Sequence, residues 1–333
     1  MTTSTSQRTL GRSGISVSAL GLGCWAIGGP FSGDGQEFGW GAVDDVASTR
    51  AVQAGLDGGV TFFDTASNYG AGHSEKILGA ALRGRRDSVV IASKWGYTLE
   101  EATRTATGEN GSAEYLVSCL EGTLRRLGTD YVDLYQLHLG DLPTDQALDL
   151  IPTLEDLVAA GKLRAYGWST DDADRATAFA EAGAHCATAQ YDMSVLRDAS
   201  SMVEACEKHD LGGIIRGPLA MGLLSGKYHD GRAVGARDVR AQGHAWLTYF
   251  RDGRGAPEWL AHVDSVRDIL TADGRTLLQG ALAWLWSRSD TTIPIPGFRT
   301  ETQVTEIVGA LAYGPLTPAQ HAAVEETLAP IRA

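Results

Sequence analysis

The sequence predicts an α/β chain closed into a single (β/α)8 barrel, the TIM barrel, with an N-terminal β-hairpin cap and a long loop after strand 7. Three observations predict it. Short apolar, β-prone runs alternate with stretches of helical periodicity along nearly all of the 333 residues, and no polar linker divides them, so one domain spans 1–333. The strand count reaches eight. Three consecutive strands end in one ionisable group each, Asp64, Lys94 and His138, and barrel enzymes carry their chemistry at the carboxyl ends of strands.

In chain order, the first seven residues are Thr- and Ser-rich and read as a loose end, and the pieces flanking Gly11-Arg-Ser-Gly14 predict a small hairpin. The first core strand spans 17–23. It runs into Gly21-Leu-Gly-Cys-Trp-Ala26, which formally matches a dinucleotide fingerprint; Ile27-Gly-Gly-Pro30 follows where that motif needs a helix, so the match is rejected. A glycine-rich loop (28–44) and a helix (46–56) lead to the second strand, 60–63. Helix and strand then alternate: helix 74–83, strand 88–93, helix 112–127, strand 131–137, helix 144–160, strand 163–168, helix 172–182, strand 186–190, helix 198–209, strand 212–216. An irregular stretch, 217–257, precedes helices at 258–271 and 275–288, the last strand at 292–295, and helices at 299–312 and 317–328.

The 43% hydrophobic content builds a substantial core, and no apolar run approaches the length of a membrane span. The N-terminus lacks the basic and apolar regions of a signal peptide, so a cytoplasmic protein is expected. Cys24, Cys119, Cys186 and Cys206 have no paired spacing, which favours neither disulfides nor a metal site. A net charge of −13 argues against nucleic acid. A homo-oligomer stays open.

An ionised Asp64 at the end of a buried strand needs a cation from elsewhere in the chain. Parallel neighbouring strands would supply Lys94 and bring His138 to the same rim, with Tyr69 on the connection above. Trp25 and Trp95 each follow a rim position and are expected to line a substrate pocket. The 217–257 stretch, rich in arginine and aromatics, reads as a cofactor clamp or lid.

Phe63-Asp-Thr-Ala66, Tyr69-Gly70, Ser74-Glu75, Ser93-Lys94, Leu137-His138 and Ile295-Pro-Gly-Phe-Arg299 occur in the order found in aldo-keto reductases. On these motifs the chain resembles that family, and more its bacterial and potassium-channel β-subunit branches than its aldose-reductase branch. The resemblance implies a tetrad of Asp64, Tyr69, Lys94 and His138. Tyr69 would protonate a carbonyl oxygen as hydride arrives, Lys94 would lower the phenol pKa, Asp64 would hold Lys94 protonated, and His138 would position the carbonyl. It implies NADPH as cofactor and a small-molecule carbonyl as substrate. Ser169 and Gln190 would hold the carboxamide, with Thr170 where Asn is usual and Arg216 where an aromatic commonly stacks on nicotinamide. Pro218, Leu219, Gly222, Leu224, Ser225 and Lys227 would follow the pyrophosphate. Gly297 would open the last barrel helix, Arg299 would fork onto a 2′-phosphate, and Gln303 and Glu306 would meet adenosine, with Ile307 in place of a frequent Asn.

A carbonyl reductase is the leading expectation. A sugar or sugar-nucleotide ketoreductase is the alternative, with the arginines of 232–254 meeting an anionic substrate. A slow-turnover regulatory subunit is the third; a chain that starts almost at the barrel speaks against it.

Overall fold

The computed structural model describes residues 7–332. Eight parallel strands form the barrel: β1 (Gly21–Gly23), β2 (Phe62–Asp64), β3 (Val90–Trp95), β4 (Val132–Leu137), β5 (Leu163–Ser169), β6 (Cys186–Asp192), β7 (Gly212–Arg216) and β8 (Thr292–Pro294). Each pairs with its sequence neighbours. The ring closes between β1 and the residues just past β8, where Gly23 bridges Gly297 and takes a 3.0 Å bond from its N–H to the Pro296 carbonyl. A side chain at Gly23 would sit 2.7 Å from the Ile295 carbonyl oxygen, so only glycine allows this seam.

Side-chain alternation divides the core in two. Phe62, Val90, Ala92, Leu134, Ala165, Ile214 and Ile293 fill the barrel interior, while Phe63, Ile91, Tyr135 and Tyr166 point outward into a larger core under the helices. The hairpin Gln7–Thr9/Ser16–Ser18 inserts Leu10, Ile15 and Val17 into the inner cluster and closes the amino-terminal end. Gln7 therefore belongs to a strand and not to the loose end expected there; residues 1–6 lie outside the described residues. The expected first core strand divides at Ala19-Leu20 into the second hairpin strand and β1.

The helices begin where their caps lie. Asp44, Ser112, Asp172 and Thr300 each accept a backbone N–H of the first turn, and Thr276 with Gln279 forms a capping box. The expected helix over 144–160 divides into Thr144–Leu148 and Ile151–Ala159, with Pro152 at the start of the second piece. After Gly21-Leu-Gly-Cys-Trp-Ala26 comes one 3₁₀ turn, Ala26–Gly28, and no helix.

Two loops at the carboxyl end, one of them the glycine-rich loop after β1, carry strands of their own. Ser32–Gly33 and Gln36–Glu37 after β1, and Tyr97–Glu100 and Thr105–Glu109 after β3, build one four-stranded sheet over the carboxyl end of the barrel. The stretch after β7 reaches the same place: Trp40 bridges Asp238, Val239 N–H donates to the Gly39 carbonyl, and the Arg240 guanidinium lies 4.5 Å from the Trp40 ring centroid. No helix among the described residues is long and apolar enough to cross a membrane.

Candidate active site

Asp64 and Lys94 face inward from β2 and β3, one step past the apolar filling. Lys94 is fully buried, and its Nζ donates to Asp64 Oδ1 at 2.5 Å, to the Thr65 carbonyl at 2.9 Å and to Tyr69 Oη at 3.3 Å. The other Asp64 oxygen accepts from Gln190 at 2.8 Å and Gln136 at 3.3 Å, so this buried carboxylate is paired and hydrogen-bonded on both sides. His138, just past β4, meets the Tyr69 ring edge-to-face at 5.9 Å, and its backbone N–H donates to the Trp95 carbonyl. The four residues expected at one rim are in contact there.

The Tyr69 loop is tightly held. Ser74 Oγ donates to the Cys24 carbonyl and bonds Thr65 Oγ1, and Gly70, at φ 62°, lies so close to the Gly28 carbonyl that a side chain could not enter. Beneath it Glu75 is fully buried, bonded by Ser93 Oγ at 2.6 Å and by Arg126 Nε at 2.6 Å; Arg126 NH1 continues to Glu101 in the Tyr97–Glu109 hairpin at 2.9 Å. A chain of ion pairs thus anchors the hairpin roof to the barrel helices.

Electrostatics give the groups their states. Burial alone would depress the Lys94 ammonium, but Asp64 and Tyr69 raise it above the ordinary lysine value. His138 is pushed well below the ordinary imidazole value, by burial first and then by the Lys94 and Arg216 charges, which leaves a neutral ring. Burial raises the Tyr69 phenol above its usual value; Lys94 pulls it down, in the direction expected of it, without reversing the shift. Neutral phenol, the form that can donate a proton, is therefore favoured.

Trp25 stacks near Tyr69, with centroids 6.0 Å apart at 23°, and lines the mouth. Trp95 does not. As the neighbour of inward-facing Lys94 on a strand it points outward, is 0% exposed, and stacks on Tyr135 at 4.9 Å in the outer core. The pocket-lining expectation for Trp95 is corrected accordingly.

Ser169 ends β5 and pairs in register with Gln190 near the end of β6; both are buried, and Gln190 bonds Asp64. The Thr170 hydroxyl donates to the Gly140 carbonyl and accepts from Asp172 N–H, so its proton is already committed. Arg216 ends β7, bonds Asp171 at 2.6 Å and lies 3.7 Å from Asp192, sharing both with Arg197. Past β7, Pro218 is buried and Leu219 and Leu224 sink their side chains into the outer core. Ala220, Met221 and Gly222 all have positive φ, two of them non-glycine, and Ser225 Oγ donates to the Gly222 carbonyl.

At the far end, Gly297 belongs to the barrel seam and does not open the last barrel helix, which starts at Glu301 behind its Thr300 cap. Gln303 Oε1 accepts the Arg299 N–H, and the Arg299 guanidinium donates to the Trp40 and Ala42 carbonyls, tying the first loop down. Lys227 is pushed below the ordinary lysine value by burial and then by Arg240, Arg232 and Arg299, with Glu306 opposing. Arg232 and Arg240 of this cationic cluster belong to the 217–257 stretch expected to act as a cofactor clamp or lid. No group of three or more His, Cys, Asp or Glu among the described residues could hold a metal ion.

Comparison with known proteins places the chain in a family. The profile of the aldo/keto reductase family matches residues 19–329, and the chain belongs to that family of oxidoreductases. It is 30% identical over 305 residues to the aldo-keto reductase YhdN of Bacillus subtilis, covering 89% of this chain and 86% of that protein. Among solved structures it is similar to the glycerol dehydrogenase AKR11B4 from Gluconobacter oxydans, at 26% identity and TM-score 0.81 over 98% of this chain and 96% of the other. An aldo-keto reductase from Klebsiella pneumoniae in complex with NADPH is also similar, at 26% identity and TM-score 0.68 over 96% and 94%.

Proposed function

We propose that this protein is an NADPH-dependent carbonyl reductase that converts an aldehyde or ketone to an alcohol, with Tyr69 as general acid. One observation carries the reading: Lys94 Nζ joins Asp64 at 2.5 Å to Tyr69 Oη at 3.3 Å, beside a neutral His138. The cofactor fits the residues present. Lys227, depressed by burial first and then by the Arg240, Arg232 and Arg299 charges, sits in a cationic cluster whose field suits phosphates. Ser169 and Gln190 offer polar groups at the strand ends beside the reacting centre, and the Klebsiella relative is described with NADPH.

NADPH supplies the hydride when bound. The Tyr69 hydroxyl, held by Lys94, donates its proton to the carbonyl oxygen, and the ammonium stabilises the phenolate left behind. His138, uncharged, donates a hydrogen bond to the same oxygen and fixes its direction. Asp64, braced by Gln136 and Gln190, keeps Lys94 charged.

The arginines of 232–254 have partners within the chain, and the anionic-substrate alternative gains no added observation. Arg237 pairs with Glu37, Arg251 with Glu258, Arg240 with Asp238 and Arg232 with Asp230, while Arg254 donates to the Gly231 carbonyl. A hydroxylated substrate keeps one supporting observation, the relative named glycerol dehydrogenase.

The test is NADPH titration followed by turnover of a carbonyl panel, with wild type and Tyr69→Phe. Both proteins should bind NADPH, and only the wild type should turn over. Failure of the wild type to bind either NADPH or NADH would sink the reading.

A further inference from the structure

We propose that Trp246, carried by the long loop after β7, is a specificity-determining wall of the pocket that selects carbonyl substrates bearing an extended flat ring system over short aliphatic ones. This rests on the reductase reading above. Trp246 is 53% exposed. A single exposed aromatic needs no explanation by itself, but its neighbours give this one a direction. Its ring lies 6.4 Å from that of Trp25 at 37°, and Trp25 in turn stacks 6.0 Å from Tyr69 at 23°. Three ring faces thus descend from solvent to the phenol that donates the proton.

The far side of the mouth is also aromatic: Tyr97 meets His138 edge-on at 5.3 Å. Tyr97 belongs to the roof hairpin that Arg126 and Glu101 anchor.

Trp246 is held in place from behind. The His244 ring lies 5.3 Å from it at 20° and 4.8 Å from Phe38 at 23°, and His244 Nε2 sits 3.0 Å from the Glu37 carbonyl. His244 is itself buried, so the indole is presented by a packed support and loses little freedom when a ligand covers it. A fused-ring aldehyde whose carbonyl oxygen reaches Tyr69 extends along Trp25 to Trp246 and buries its open face. A three-carbon aldehyde ends before it.

The experiment compares wild type, Trp246→Ala and Trp246→Phe with 2-naphthaldehyde and propanal, and measures NADPH affinity by the cofactor's own fluorescence. In Trp246→Ala the KM for 2-naphthaldehyde should rise about tenfold, the size expected from a lost aromatic contact and its buried area. Propanal kcat/KM and NADPH affinity should stay within about twofold, and Trp246→Phe should recover most of the loss. An equal loss on both aldehydes, or weakened NADPH binding, would overturn the assignment, the latter by giving Trp246 to the cofactor. A wild type that binds NADPH yet reduces neither aldehyde is a different failure, visible before any substitution, and would overturn the reductase reading together with this inference.

Discussion

Asp64→Asn keeps the shape of a buried side chain and removes the carboxylate that Lys94 Nζ touches at 2.5 Å. Lys94 is 0% and Asp64 2% exposed, so either single substitution, Asp64→Asn or Lys94→Met, strands one charge where water cannot reach it. Breaking a buried pair from one side costs about 3–5 kcal/mol, whereas removing both charges together leaves nothing uncompensated. The double variant should therefore be more stable than either single one, and far from the sum of the two losses. An unfolding entropy of about 2.1 cal/mol/K per residue gives about 0.7 kcal/mol/K over 333 residues, so each single substitution should lower Tm by about 4–7 °C. Urea and thermal unfolding of wild type, both singles and the double variant measure the cycle. Turnover should not return with stability in the double variant, because Tyr69 has then lost its ammonium neighbour. A double variant as unstable as the sum of the singles would refute the reasoning, since the two charges would then not be compensating each other.

The His138 imidazole, depressed by burial and by Lys94 and Arg216, stays neutral in the folded chain while an unfolded histidine takes a proton below about pH 6.5. The unfolded state binds the extra proton there, so stability falls with pH; between pH 6.5 and 5 the wild type should lose up to about 1.4 kcal/mol per pH unit more than His138→Asn. Parallel stability curves for the two proteins would count against a neutral His138. Arg126→Met should leave fully buried Glu75 with Ser93 alone and cost about 3 kcal/mol or more in urea titrations. It should also open the 97–109 hairpin to limited proteolysis, and an unchanged cleavage pattern would remove the anchoring role given to the Glu75–Arg126–Glu101 chain.

The strand ends were legible because inward residues on neighbouring parallel strands must meet: Asp64, Lys94 and His138 each follow an apolar run of the right length. Trp95 was misjudged although the rule that corrects it was available, since successive strand residues face opposite ways and Lys94 had already taken the inward one. The last barrel helix shows the same kind of oversight. Thr300 with Gln303 three residues on is a start signal, and it outweighs the freedom of Gly297. The hairpin after β3 gave no signal of its own. Thr105-Ala-Thr-Gly-Glu109 lacks an apolar face, and its partner strand at Ser32–Gly33 is set by the close approach of two distant loops. Glu75 in its buried ion pair and Trp246 beside Trp25 were hidden for the same reason, being contacts between segments that local periodicity does not relate.

The hairpin that plugs the amino-terminal end of the barrel has a consequence for proton supply. Leu10, Ile15 and Val17 sit under an apolar filling of Phe62, Val90, Ala92, Leu134 and Ala165, and no ionisable side chain belongs to this cluster. The floor of the well is apolar. Under the proposed mechanism a proton that Tyr69 gives away would be replaced from the mouth, past the ring faces of Trp25 and His138, through the opening that the substrate itself would occupy. Reprotonation and product departure would then share one doorway.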